Sequence, residues 1–201
     1  SNGQDRDSDI ITGDDYVYHL PVIFHVFYKD SKNPKQYISS TRLKELLSNV
    51  NELYQGNVYN ISLDTIESEN IHVLFELAEK DANGKKLSTP GVEYIKIKED
   101  LIDCEDFMNS KTYAKYSWNQ NDYINVMVYS FKNTDHTSVT LGISNIPYKV
   151  AGYPDIEGLT NSKNYPLNKP GSFPYCVSLN AIYVDKKYEG TRYTTDKHQQ
   201  N

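Results

Sequence analysis

The feature that most constrains the fold is an apolar run at residues 20–28, Leu-Pro-Val-Ile-Phe-His-Val-Phe-Tyr, the longest in the sequence. β-Branched and aromatic residues fill it, and nearly every position is apolar, so both faces of a strand formed here must be covered. Pro21 lacks an N–H group and belongs at the start of that strand, where no ladder hydrogen bond is lost. The run predicts a central strand of a sheet flanked by helices.

A helix is predicted directly after this strand. Apolar residues recur at helical spacing through residues 43–54, residues 39–41 offer capping oxygens, and Gly56 closes the segment. A strand followed by a crossover helix requires a parallel return strand, which we assign to residues 71–78.

The remaining elements follow from the same patterns. We predict a turn at residues 81–84, a one-sided strand at 91–98, one helix or two short ones at 103–116, a strand at 123–129 and a last strand at 178–185. The strand at 91–98 belongs either at a sheet edge or in a hairpin with the strand before it. Residues 194–196 are typical caps of a further helix.

Residues 141–148 differ from the other strands because they are short, with an internal glycine and a proline near the end. These features favour an exposed edge strand. Residues 150–174 are rich in Gly, Pro, Asn and Lys and predict a long surface loop.

The order of elements predicts an α/β (α+β) fold: a twisted, mixed, mostly parallel sheet with an antiparallel edge strand and flanking helices. The 201 residues suffice for one domain with a real core. Residues 1–15 are polar and acidic and indicate a flexible tether, so we assign residues 16–201 to a single domain.

Composition excludes some classes of function. The net charge of −6 and the absence of a basic stripe in the sequence argue against a nucleic-acid partner. The sequence holds no apolar stretch long enough to span a membrane. Its 18 tyrosines favour an exported protein, in which amphipathic rings are buried while their hydroxyls stay hydrated.

The two cysteines, Cys104 and Cys176, have two interpretations. Export favours one disulfide, and both residues lie near the ends of elements leading toward the sheet. The alternative is two unpaired buried thiols.

The five histidines do not form a metal-binding motif. No two of them have the three- or four-residue spacing that places two ligands on one helical face. His25 and His72 lie in predicted strands and are interpreted as structural, His136 as part of a polar loop and His198 as exposed. The acidic residues between 100 and 106 are explained by a helix N-terminus, with a calcium site as the alternative.

Taken together, several segments resemble the pappalysin-like metzincin zinc peptidases. The resemblance is carried by Tyr-His-Leu-Pro-Val-Ile-Phe-His-Val-Phe-Tyr at 18–28 with the helix at 43–54, the strand at 71–78 with its Asp-x-x-Gly turn, Tyr-Ile-Asn-Val-Met-Val at 123–128, the edge strand at 141–148 and Leu-Asn-Ala-Ile-Tyr-Val at 179–184. It covers residues 16–201 and is nearest to exported lipoprotein metalloproteinases of gut Bacteroides-type bacteria.

The resemblance implies a zinc endopeptidase as the parent protein. In that family the next element is a helix with His-Glu-x-x-His-x-x-Gly-x-x-His, whose histidines hold zinc and whose Glu acts as general base. The motif does not occur here, and the sequence ends at His198-Gln-Gln-Asn201. We therefore expect the N-terminal, upper subdomain of the enzyme, with no catalytic residue, no bound zinc and no cleavage by this chain itself.

The same resemblance implies an extracellular or outer-membrane lipoprotein, with a lipid anchor in the parent and an extended peptide or protein as substrate. The edge strand of metzincins forms the upper rim of the cleft, which assigns substrate binding to Gly142, Ile143, Ser144, Asn145 and Ile146. The alternatives are a non-catalytic surface module that binds protein or glycan, a family member that has lost the zinc helix, and an unrelated α/β domain.

Overall fold

The computed structural model describes residues 17–55, 72–132, 139–145 and 173–184. The elements are β1 Val17–Tyr28, α1 Ser40–Gln55, β2 His72–Leu77, β3 Val92–Lys96, α2 Cys104–Met108, α3 Lys111–Ala114, β4 Ile124–Tyr129, β5 Gly142–Ser144, β6 Val177–Asn180 and a 3₁₀ turn at Ala181–Tyr183. Among the described helices, none has the length and apolar character needed to cross a membrane.

The apolar run forms the middle of the sheet, as predicted. Strand β1 pairs in parallel with β4 on one side and with β2 and then β3 on the other. The strand order is β2-β1-β4-β6-β5, with β3 joined to β1, and only β5 is antiparallel to its neighbour. The fold is therefore the mixed, mostly parallel α/β sheet that the sequence predicts.

The two faces of β1 serve two separate clusters. Val22, Phe24 and Val26 pack with Leu43 and Leu47 of α1 on one face. On the other face, Phe27 packs with Phe107 and Met108 of α2 and with Met127 and Tyr129 of β4. Successive side chains of a strand point to opposite faces, which is why a strand covered on both sides must be apolar at nearly every position.

Strands β2 and β3 lie one after the other along the same side of β1. Where they meet, Gly91 N donates to Ala78 O (2.6 Å) and Gly91 O accepts from Phe24 N (2.7 Å). The intervening residues loop out, with an antiparallel bridge between Lys80 and Lys86. Of the two positions predicted for β3, the sheet edge is confirmed, and the hairpin with β2 is wrong because both strands pair with β1.

The helical segment and the last strand end earlier than the sequence predicts. The helical segment at 103–116 consists of the two short helices α2 and α3, separated at Ser110, whose hydroxyl caps α3. The last strand, predicted over 178–185, ends at Asn180 because the chain turns into the 3₁₀ turn there. The Asn180 side chain accepts a hydrogen bond from Ile182 N and so caps that turn. The predicted helix caps at 194–196 and the loop at 150–172 lie outside the described residues.

Candidate functional site

The candidate site is the sheet edge formed by β5, the last strand in the order of the described strands, which we call the rim strand (Gly142–Ser144). It pairs antiparallel with β6, with Ile143 opposite Ser178. Beyond the strand, Asn180 N donates to Leu141 O (2.9 Å) and Asn145 N donates to Cys176 O (3.4 Å). In an antiparallel ladder, alternate residues are hydrogen-bonded, so the peptide groups of residues 141, 143 and 145 face β6.

The intervening peptide groups face the other way. The N–H and C=O groups of Gly142 and Ser144 point away from β6, toward the edge of the sheet. Among the described strands, none pairs with β5 on that side. An edge of this kind offers alternating donors and acceptors to an incoming extended chain.

The side chains of the rim fix its position and leave apolar surface beside it. Ile143 packs against the cluster around Phe107, and Leu141 and Val139 are 43% and 42% exposed. At Gly142 a Cβ atom would lie 3.0 Å from Ser178 O, so glycine permits the close approach of the rim to β6.

The structure brings four of the five predicted rim residues onto one edge, namely Gly142, Ile143, Ser144 and Asn145. Ile146 lies outside the described residues. The role of Asn180, whose amide holds the start of the rim, is not predicted from the sequence. The available signal is an asparagine at the end of a strand, where its side chain can cap the turn that follows.

The predicted disulfide between Cys104 and Cys176 is not present. Both cysteines are free thiols, buried in the cluster that also holds Met108. Cys176 Sγ lies 3.6 Å from Met108 Sδ and 4.0 Å from Ser178 Oγ. The second interpretation, two unpaired buried thiols, is the one that the structure supports, because these sulfurs are used in core packing.

Burial keeps these thiols and a neighbouring phenol in their neutral forms. Desolvation raises the pKa of Cys176 to about 12, although the hydrogen bond to Ser178 lowers it in part. Desolvation and the charges of Asp103 and Glu105 also raise the pKa of Cys104. The pKa of Tyr129 is raised by burial, and its hydroxyl donates to Ser178 Oγ (3.0 Å). Neutral, buried thiols are poor nucleophiles and poor metal ligands.

His25 is the core histidine that the sequence predicts, and it is fully buried. Asn125 accepts from Trp118 N and donates to Trp118 O, both at 2.8 Å, and this pair fixes its amide orientation. The Asn125 oxygen therefore faces His25 Nε2, which donates to it at 2.8 Å. The other ring nitrogen is hydrogen-bonded to the Glu93 carboxylate. His25 thus links β1 to β3, β4 and the loop before β4.

Other charged residues are also used structurally. His19 pairs with Glu76 at 2.6 Å on the surface. Asp103 caps α2 by accepting from Asp106 N (2.9 Å), as expected for an acidic helix start. Asp100 pairs with Lys29 at 3.2 Å.

A catalytic zinc requires three or four convergent ligands. Within the described ranges, no group of three or more His, Cys, Asp or Glu side chains is placed to hold a metal ion. Both ring nitrogens of His25 are occupied by hydrogen bonds, and His136 and His198 lie outside these ranges. The described residues do not fit a zinc site, so no chemical step at a metal is derived from them.

The parallel strands, the antiparallel edge strand and the helices on both faces define a mixed, mostly parallel α/β fold, which is similar to that of a metzincin-type metalloprotease. Solved structures that it resembles include those of mirolysin from Tannerella forsythia. Mature mirolysin with a cleaved peptide matches with a TM-score of 0.52 at 19% identity, over 83% of this chain and 53% of that chain. Mirolysin with compound 9 matches with a TM-score of 0.51 at 20% identity, over 82% and 53%.

A third structure, the promirolysin mutant E225A, matches with a TM-score of 0.51 at 20% identity, over 83% of this chain and 47% of that chain. No protein-family model and no curated protein sequence matches this chain. At this identity the likeness shows the fold, and the chain spans about half the length of the mirolysin chains.

Proposed function

We propose that this chain is the substrate-rim subdomain of a secreted or surface-anchored zinc endopeptidase, and that its rim strand binds an extended peptide by β-strand addition. The observation that carries the proposal is the open antiparallel edge at Gly142 and Ser144, in a fold shared with mirolysin. A structure of mature mirolysin is described as a complex with a cleaved peptide, which supports a peptide as the ligand class.

The geometry defines what the rim contributes. The outward N–H and C=O groups of Gly142 and Ser144 supply main-chain hydrogen bonds, which hold any peptide sequence in an extended conformation. The exposed side chains of Val139 and Leu141 add apolar contact beside these groups. Binding of this kind orients a peptide bond for attack, while the attack itself requires groups outside the described residues.

The catalytic machinery is proposed for the part of the parent protein that this chain does not span. The mirolysin chains are about twice as long as the matched region. The proposed parent carries a helix with His-Glu-x-x-His and a third histidine, which binds zinc; the pappalysin-like subtype, the lipid anchor and the outer-membrane location belong to the same proposal. Sequencing the reading frame tests it, since a frame without that motif removes the peptidase function and leaves a non-catalytic binding module.

A substitution at Ser144 tests the rim directly. Ser144→Pro removes one outward N–H group but leaves the ladder to β6 in place, because Ser144 is not one of the residues that bond to β6. One lost hydrogen bond of about 0.5–1.5 kcal/mol lowers peptide affinity roughly two- to tenfold. The matched control is Ser144→Ala, which keeps the N–H group and should bind like the unsubstituted chain.

The measurement is an NMR titration of the ¹⁵N-labelled chain with an extended, proline-free peptide. We expect the amide signals of Gly142 and Ser144 to shift first. Shifts confined to another surface, or equal affinity for the proline and alanine variants, would show that the rim does not bind peptide.

A further inference from the structure

The rim strand is three residues long and, among the described strands, pairs with β6 alone, so its own ladder supplies few hydrogen bonds. An edge strand of this length is expected to fray unless other groups hold it. Two asparagine side chains supply such groups, one at each end of the rim.

Asn180 holds the start of the rim. It is 5% exposed, and its Nδ2 donates to Thr140 O at 3.1 Å while its backbone N donates to Leu141 O at 2.9 Å. Its Oδ1 accepts from Phe131 N at 3.2 Å and from Ile182 N at 3.4 Å. One side chain therefore joins the start of the rim to the end of β4 and to the 3₁₀ turn.

Asn145 holds the end of the rim. Its Oδ1 accepts from Cys176 N at 2.7 Å, and its backbone N donates to Cys176 O at 3.4 Å. Asn145 thus pairs with both backbone groups of Cys176, using a side-chain oxygen where a longer ladder would use a carbonyl. The ordered edge consequently extends from Thr140 to Asn145, beyond both ends of the strand.

We propose that Asn180 and Asn145 are positioning residues, which fix the rim in the register that presents the peptide groups of Gly142 and Ser144 outward. A slip of one residue would turn these groups toward β6 and would remove Ile143 from the core cluster. We call the hydrogen bonds of Asn180 to the start of the rim the first clamp, and those of Asn145 to Cys176 the second clamp. The inference rests on the proposed peptide binding at the rim. It predicts that loosening either clamp weakens peptide binding while the rest of the sheet stays intact.

Asn180→Asp tests the first clamp. The carboxylate keeps an acceptor for Phe131 N and Ile182 N, but it places an oxygen instead of a donor against Thr140 O. Asn51→Asp is the matched control, because Asn51 Nδ2 likewise donates to a backbone carbonyl, Phe75 O at 2.8 Å, at the opposite edge of the sheet. The same substitution is made in both variants, but only Asn180 contacts the rim.

Asn145 provides a second, independent pair of variants. Asn145→Leu has similar volume and removes the acceptor for Cys176 N, whereas Asn145→Asp retains it. We expect the leucine variant to loosen the end of the rim. The aspartate variant should hold the end of the rim as the unsubstituted chain does.

The readouts are amide hydrogen exchange and the affinity of the extended peptide used above. Asn180→Asp and Asn145→Leu should speed exchange at Ile143 and Asn145 at least tenfold and weaken peptide binding at least threefold, with exchange at Val26 and Val128 unchanged. Asn51→Asp and Asn145→Asp should leave exchange at the rim and peptide affinity unchanged.

Three results would overturn the proposal. The first is equal acceleration at Val26 and Val128, which would make the clamps general stabilisers, and the second is a loosened rim with unchanged affinity. The third is unchanged exchange at Ile143, which would show that the amides do not hold the rim. If the unsubstituted chain binds no peptide at Gly142 and Ser144, the proposed function fails, and the exchange data still decide whether the clamps exist.

Discussion

At the scale of single residues, two histidine–glutamate pairs within the described ranges differ in burial. The side chain of His25 is fully buried and that of its partner Glu93 is 33% exposed, whereas His19 and Glu76 are 56% and 46% exposed. Water screens the exposed pair, whereas it cannot reach the His25 ring to replace the hydrogen bonds that the ring makes. The same chemical pair therefore contributes very differently to stability at the two positions.

We expect His25→Leu to lower the free energy of unfolding by about 1–3 kcal/mol, because Glu93 and Asn125 each lose a hydrogen bond to a fully buried ring. The control His19→Leu should change it by less than about 1 kcal/mol. Urea denaturation followed by circular dichroism measures both values. Similar losses for the two variants would contradict the structural role assigned to His25.

The buried thiol of Cys176 predicts a pH dependence of stability. Its pKa rises from 9.0 to about 12 on folding, so the folded state favours the protonated thiol. This contribution is complete below pH 9 and is lost as pH rises toward 12, because only the unfolded chain ionises easily in that range. Urea melts between pH 9 and pH 12 measure the free energy of unfolding, which should fall less with pH for Cys176→Ala than for the unsubstituted chain. Parallel plots of this free energy against pH for the two proteins would show that the thiol does not titrate on unfolding.

At the scale of elements, two glycines with positive φ have different roles. A Cβ at Gly91 (φ +67°) would lie 2.5 Å from Leu77 Cδ2, whereas at Gly84 (φ +77°) it would meet nothing within 4 Å. Gly91 joins β2 to β3 against β1, and Gly84 lies in an exposed turn. Both need the left-handed conformation, and only Gly91 also needs the space.

Gly84→Ala should therefore cost about 1 kcal/mol, from backbone strain alone. Gly91→Ala should cost about 2–4 kcal/mol, because steric overlap with Leu77 is added to the same strain. Thermal and urea melts of the two variants give the comparison. A smaller loss at Gly91 than at Gly84 would mean that the junction of β2 and β3 adapts to the side chain.

The outer edge of β2 is covered at Phe75 by a side chain of α1. Asn51 of α1 donates to Phe75 O and accepts from Phe75 N, both at 2.8 Å, and so occupies the peptide groups that face away from β1. An edge strand protected in this way cannot pair with another chain at that residue. The sheet is therefore closed at this position of β2, whereas no described strand covers the outer edge of β5, at which the proposed function requires an open edge.

Asn51→Ala should lower stability by about 1–3 kcal/mol and promote self-association, because both Phe75 groups lose their partner. Ser48→Ala, an exposed position on the same helix, should do neither. Urea melts and sedimentation velocity measure the two effects. A monomeric Asn51→Ala variant with unchanged stability would show that the amide does not protect the edge.

At the scale of the whole molecule, β1 and β4 form the centre and the rim lies at the periphery. Strand β1 has partners on both sides and helices on both faces, whereas β5 has one partner among the strands that the structure describes. Native-state hydrogen exchange should therefore be slowest at Val26 and Val128 and faster at Ile143. The opposite order would contradict the assignment of the stable core to the centre of the sheet.

The sequence by itself determined the central strand, the amphipathic helix, the parallel return and the edge position of β5. Each of these features is predicted by a local sequence pattern, namely an apolar run, a helical period or a short interrupted strand. Burial of apolar surface stabilises all of them in the folded protein. The assignment of peptide binding to residues 142–146 came from the resemblance, in which the edge strand is a defined element, and it stays a prediction. The structural role of His25 was also predicted, since a histidine inside an apolar strand is most stable with buried partners.

Only the tertiary structure decided the roles of the asparagines and the cysteines. Asn51, Asn145 and Asn180 reach backbone groups far away in sequence, so no local pattern reveals which strand each one holds. Cys104 and Cys176 share one cluster but remain thiols. The sequence could not predict this outcome, because the spacing of two cysteines does not determine how their sulfurs are oriented in a core. These choices depend on long-range geometry, which exists only after the sheet has formed.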